Sequence, residues 1–175
     1  MSLAEAVRGH FANWHGLAPE LDPDEVARIL EARWQPGNGL EVRAGQAFLV
    51  LAGQRDEPPA RIEAWLPRAS RSVAALAFRP PPDIEHAAIL GELGEPDVVL
   101  DSNRLEPGSV VYEHVHAQRG VTLAVAEPFP EADGAQGPPQ VVFVQLYPAM
   151  STQAFVTTIG RSGEELRPYP RPPGT

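Results

Sequence analysis

The sequence predicts an α+β protein in which two tandem units, each a helix followed by an antiparallel sheet, pack as one compact domain with an extra N-terminal helix. Three observations carry that expectation. Apolar spacing switches from a period of about 3.6 residues to a period of about two, and does so twice along the chain. Segments also echo one another in preserved order. Glu25-Val26-Ala27-Arg28-Ile29-Leu30, with Pro36 beyond it, returns as Glu85-His86-Ala87-Ala88-Ile89-Leu90 with Pro96, an offset of 60 residues. Gly45-Gln46-Ala47-Phe48-Leu49-Val50 returns as Gly120-Val121-Thr122-Leu123-Ala124-Val125 at 75, and the segment from Pro58 to Pro67 as that from Pro138 to Pro148 at about 80. Finally, 20 Pro and 15 Gly in 175 residues cut the chain into short elements separated by rigid turns.

Taken in order, residues 1–19 form the N-terminal helical segment. Leu3, Ala6, Val7, His10, Phe11 and Trp14 make one apolar stripe that Gly16 ends. His10 on that stripe reads as a hydrogen-bonded core residue. The first repeat unit, 20–80, opens at Asp22-Pro23-Asp24-Glu25, where Asp22 caps the free amides and Pro23 suits the first helical position. Val26, Ile29, Leu30 and Trp34 form its inward face, and Gln35-Pro36-Gly37 breaks the helix. Strands are expected near 40–44, 46–52, 61–66 and 73–79. The second unit, 81–160, repeats the scheme with a helix capped by Asp83 and ended by Gly94 and Pro96, then strands near 97–101, 109–117, 120–126, 140–147 and 153–159. Residues 161–175, with Pro168, Pro170, Pro172 and Pro173, read as an extended tail.

Composition narrows the function classes. A chain of this size can bury about 70% of its extended surface, and the 43% apolar fraction supplies a core led by Val, Leu, Ile and Ala. The net charge of −9, with Arg as the scattered cation, argues against nucleic-acid binding and against anionic membranes. No Cys is present, which excludes disulfides and thiol chemistry. The start has no basic region followed by an apolar run, so the expectation is a cytoplasmic protein.

Strand alternation supplies candidate site residues. Ile62, Ala64 and Leu66 match Val142, Val144 and Leu146 and are expected to face the helices, with Phe48 and Val50 matching Leu123 and Val125 beside them. The helix-free face then carries Arg61, Glu63 and Trp65 in one unit and Val141, Phe143, Gln145 and Tyr147 in the other. If Tyr112, His114 and His116 share that face, an aromatic and imidazole patch lies open on the sheet, as a partner surface would.

The helix, the Leu93-Gly94-Glu95-Pro96 turn, and the strands through Tyr112, Arg119-Gly120-Val121-Thr122-Leu123 and Val142-Phe143-Val144 resemble the half-repeat of the β-lactamase inhibitory protein family. The turn is also similar to that of the small outer-membrane assembly lipoproteins. Over about residues 20 to 160 the resemblance implies helices on one side of an antiparallel sheet and a binding mode that uses the sheet face. The disulfides of the inhibitors and the acylated Cys of the lipoproteins have no counterpart in a chain without Cys.

The expected function is therefore a non-enzymatic protein-binding module, of the inhibitor, immunity or assembly type. Its contacts are Trp65, Tyr112, His114, Phe143, Gln145 and Tyr147, its partner is basic, and no cofactor is involved. Oligomers, including a subunit role in a larger assembly, are compatible with this. The alternative is a small-molecule protein or enzyme with a pocket of Tyr112, His114 and His116, in which Tyr112 and His114 act as acid and base. His114 and His116 lie about 7 Å apart on one strand face at about 3.3 Å per residue. They are weak metal candidates, because no spacing singles out a third ligand.

Overall fold

The computed structural model describes residues 17, 21–34, 41–44, 48–56, 59–69, 72–80, 86–102, 104, 106–130 and 134–159. The expected N-terminal helix, with His10 and Trp14, and the tail of 161–175 lie outside the described residues, as does the side chain of Trp34.

Asp22 starts helix α1 (Pro23–Trp34) in a reciprocal cap: its Oδ1 accepts the Glu25 N–H at 2.8 Å, and its own N–H donates to Glu25 Oε2 at 3.2 Å. Val26 and Leu30, four residues apart, are fully buried, and Ile29 packs beside them. Strands β1 (Glu41–Ala44), β2 (Phe48–Asp56), β3 (Pro59–Pro67) and β4 (Ala75–Phe78) follow. Helix α2 (His86–Leu93) then precedes β5 (Val98–Asp101), β6 (Ser109–His116), a 3-10 turn (Ala117–Arg119), β7 (Val121–Pro128) and β8 (Gln140–Leu146). Gly94 ends α2 at φ 71°, with its N–H donating to Leu90 O.

The eight strands make one sheet in the order β1-β2-β3-β4-β8-β7-β6-β5, antiparallel at every step. Two meanders thus meet at one seam, where Leu76 faces Leu146, Ala77 faces Gln145 and Phe78 faces Val144. One side of the sheet is packed under α1 and α2: Leu51, Ile62, Ala64, Leu66, Leu76, Phe78, Leu123, Val144 and Leu146 join Val26, Leu30, Ile89 and Leu93 in one core. Each large apolar side chain buried there contributes about 1.5–3 kcal/mol.

Several expectations are corrected. The span 153–159 is not a strand but helix α3 (Thr152–Thr158). Ser151 caps it by accepting the Ala154 N–H at 3.2 Å, and the Thr157 and Thr158 hydroxyls fold back onto carbonyls of Gln153 and Ala154. Phe48 and Val50 do not share the helix side. The register sets Val50 against Trp65, and Leu49 and Leu51 face the core instead. Val142 turns away from the core while Val141 enters it, because the β7–β8 register shifts between Ala124 and Val125. The helix echo falls on α1 and α2, but the later echoes pair β2 with β7 and β3 with β8, strands of different rank after their helices.

Candidate functional site

Tyr112, His114 and His116 face Val125, Leu123 and Val121 across the β6–β7 ladder, and these three belong to the core beneath α1 and α2. Direct cross-strand partners share a face, so the three are on the helix side of the sheet. Phe143 and Gln145 face Ala124 and Thr122 on the other side. The expected patch joining Tyr112 and His114 to Phe143 and Tyr147 is therefore split by the thickness of the sheet.

Phe143 and Tyr147 are also covered. Tyr147, 1% exposed, lies under α3 with its ring 4.8 Å from that of Phe155. Its Oη donates to Val121 O at 3.0 Å and lies 2.9 Å from Thr122 Oγ1. Burial pushes this phenol well above its ordinary pKa. The chain reaches that position through Gly120, at φ 67°, whose carbonyl accepts the Tyr147 N–H at 2.9 Å. A Cβ on Gly120 would collide with the Tyr147 carbonyl oxygen, so glycine is required there.

Phe143 is covered by the β5–β6 connection. The Arg104 guanidinium sits 3.5 Å above its ring centroid. The connection is anchored by Ser102 Oγ donating to Glu113 Oε1 at 3.2 Å, by the Arg104 N–H donating to Ser102 Oγ, and by Glu106 3.5 Å from Arg79. Neither Phe143 nor Tyr147 presents a ring to solvent.

Trp65 and Gln145 remain half-buried on this face. Trp65 borders both apolar clusters of that side, the one under α3 and the one under the β5–β6 connection. Its indole is fixed: Nε1–H donates to Glu63 Oε2 at 3.2 Å, and Phe48 meets the ring edge-on with centroids 5.7 Å apart. Glu63 is a buried carboxylate whose other oxygen accepts from Arg61 Nε at 3.1 Å. A buried charge needs such pairing. Sequence alternation placed Arg61, Glu63 and Trp65 on one face, but the bonds among them are the feature it missed. Their spacing of two on a strand is the signal that was available. Ala77 lies between Glu63 and Gln145 across the strands, leaving a floor of small side chains.

On the helix side, burial holds His114 below its ordinary pKa. His116, 4% exposed, is pushed down to about 4 by burial first, then by the neighbouring His114, with Asp97 opposing and Arg119 adding to the depression. Both rings are therefore neutral at neutral pH. Among the described residues no group of three or more His, Asp or Glu is placed to hold a metal ion. A pocket of about 300 Å³ opens near the start of α1, lined by Pro23, Leu49, Leu66, Pro67 and Arg68, away from the Tyr112 and His114 row. No helix among the described residues is long and apolar enough to cross a membrane. No family model, curated protein or solved structure matches the chain.

Proposed function

We propose that the chain is a protein-binding module of two tandem helix-plus-four-strand units, and that it recognises its partner through Trp65 with Arg61 and Gln145. The observation that carries this reading is the locked indole: a half-exposed Trp held by a buried carboxylate that is itself held by Arg61. Trp and Arg dominate interface energetics, and an anchor already fixed in place loses little entropy on binding. Support for the tandem units comes from the spacing of their strands. The starts of β1 to β4 and of β5 to β8 differ by 57, 61, 62 and 65 residues (41 to 98, 48 to 109, 59 to 121, 75 to 140). The net charge of −9 favours a basic partner, for which attraction speeds encounter.

The test is affinity purification from the native organism with the wild type, Trp65→Ala and Gln145→Ala as baits. A partner enriched by the wild type is lost from both variants while their circular dichroism stays native. Retention of every wild-type partner by both folded variants overturns the assignment.

A further inference from the structure

We propose that β5 is a docking edge for an extended basic peptide, which adds to the sheet as a further strand beside β5. This surface is separate from the Trp65 corner and does not depend on it.

Among the described residues β5 is a terminal strand of the sheet. The other terminal strand, β1, reads Glu-Val-Arg-Ala, a sequence with a charged residue at every second position, the composition by which natural edges resist pairing. In contrast, β5 reads Val98-Val99-Leu100 with no charge before Asp101, and all three apolar residues are half-exposed. The ladder shows which backbone groups are presented. Ser102 N–H donates to Val111 O beside the Asp101↔Tyr112 pair. That pattern turns the N–H and C=O of Val98 and Leu100 towards β6, and those of Val99 and Asp101 away from the sheet.

The flanks define the occupant. Asp97 and Asp101 are exposed at the two ends of β5; Val99 and Asp101 lie on the side of the sheet that carries His114 and Tyr112, while Asp97 precedes the strand with its N–H donating to Val115 O at 2.8 Å. Asp97 Oδ2 accepts the Gln118 N–H at 3.3 Å, and Arg119 at that end donates to Glu92 O. An added strand therefore meets a short apolar run with an exposed acid at each end. Its complement is an apolar run flanked by basic residues. A second copy of this chain fits poorly, because pairing β5 with itself gathers two Asp97 and two Asp101 in one short seam, where like charges oppose association. A basic segment of another protein pairs its main chain with Val99 and Asp101 and its cations with the carboxylates, the mode of strand addition.

The probe is a short end-blocked peptide, Lys-Val-Val-Val-Lys, with the Glu-flanked version as its counterpart, titrated into the full chain. We expect the Lys peptide to bind and the Glu peptide not to bind, with the Val99 and Asp101 amides gaining protection from hydrogen exchange. Val99→Pro removes an outward N–H without touching the bonds to β6, and abolishes binding. Asp101→Lys weakens the Lys peptide and admits the Glu peptide. Should Val99→Pro fail to fold, the exchange protection in the wild type and the charge reversal by Asp101→Lys decide the matter. The proposal is overturned if the Lys peptide does not bind, if a folded Val99→Pro still binds it, if protection appears elsewhere, or if the edge proves to be occupied by a second copy in solution.

Discussion

The two meanders follow the same order of elements but finish differently on the face away from α1 and α2. In the second, the face is closed at one end by α3 over Tyr147 and at the other by Arg104 over Phe143. In the first, the corresponding surface keeps a half-exposed Trp65 and an Arg61–Glu63 pair at its rim. Apart from the register shift in β8, what separates them is the segments that leave the strands. A long β5–β6 connection and a helix after β8 supply covers that β1–β2 and the end of β4 do not show among the described residues. The lesson is that a strand's alternation fixes which side a residue takes, whereas exposure depends on a cover encoded elsewhere.

Tyr147→Ala tests that contrast most severely. It removes a buried ring packed on Phe155 and two hydroxyl contacts, and should cost about 3–5 kcal/mol in urea unfolding. Tyr147→Phe keeps the ring and leaves Thr122 Oγ1 and Val121 O without that partner, for about 1–3 kcal/mol. Trp65→Ala should cost clearly less than Tyr147→Ala. Equal losses would show that the two surfaces are equally part of the core, and the comparison would break.

Acid offers the next largest effect, on the opposite side of the sheet. His116 has its pKa lowered from 6.5 to about 4, so the unfolded chain takes up a proton that the folded chain refuses. Its contribution is fully present above pH 6.5, is lost progressively as pH falls, and is gone below about 4. The charge of Asp97 softens the effect, while His114 and Arg119 reinforce it. A loss on the order of 2 kcal/mol across that window is expected, after allowance for solvent screening near the sheet edge. The midpoint in urea, followed against pH, should lose that slope in His116→Gln. An unchanged slope would place the acid sensitivity on other groups.

Much of the frame was legible in the residues. Helix α1 could be read because its start and its stripe are both local: Asp22 and Glu25 three apart, then Val26 and Leu30 four apart. Ile62, Ala64 and Leu66 could be placed on the core side by alternation read together with their echo at 142–146. The side taken by Tyr112 and His114 was not legible, because it depends on pairing with β7, and the echoes pointed to a strand of the wrong rank. Helix α3 was hidden by Val156, Thr157 and Thr158, whose β-branched side chains favour strands, although Ser151 and the Phe155/Ile159 spacing marked a helix. The candidate site fared least well. Trp65 and Gln145 keep their expected side, but nothing within 140–147 announces that Phe143 and Tyr147 will be covered from positions 104 and 155.

The smallest predicted effect sharpens the comparison most, because it asks whether a cover can be lifted. Arg104→Ala removes the guanidinium from the Phe143 ring while leaving the strands intact. The stacked cation contributes about 0.5–2 kcal/mol, so the midpoint should fall modestly. The ring should become accessible at the same time. A hydrophobic dye that is silent on the wild type should then report binding, and Arg104→Ala with Phe143→Ala should silence it again. That outcome would make the second meander resemble the first, with an aromatic at the rim of the sheet. If the dye stays silent and stability is unchanged, other parts of the connection bury Phe143, and Arg104 is a passenger on a cover held by Ser102 and Glu106.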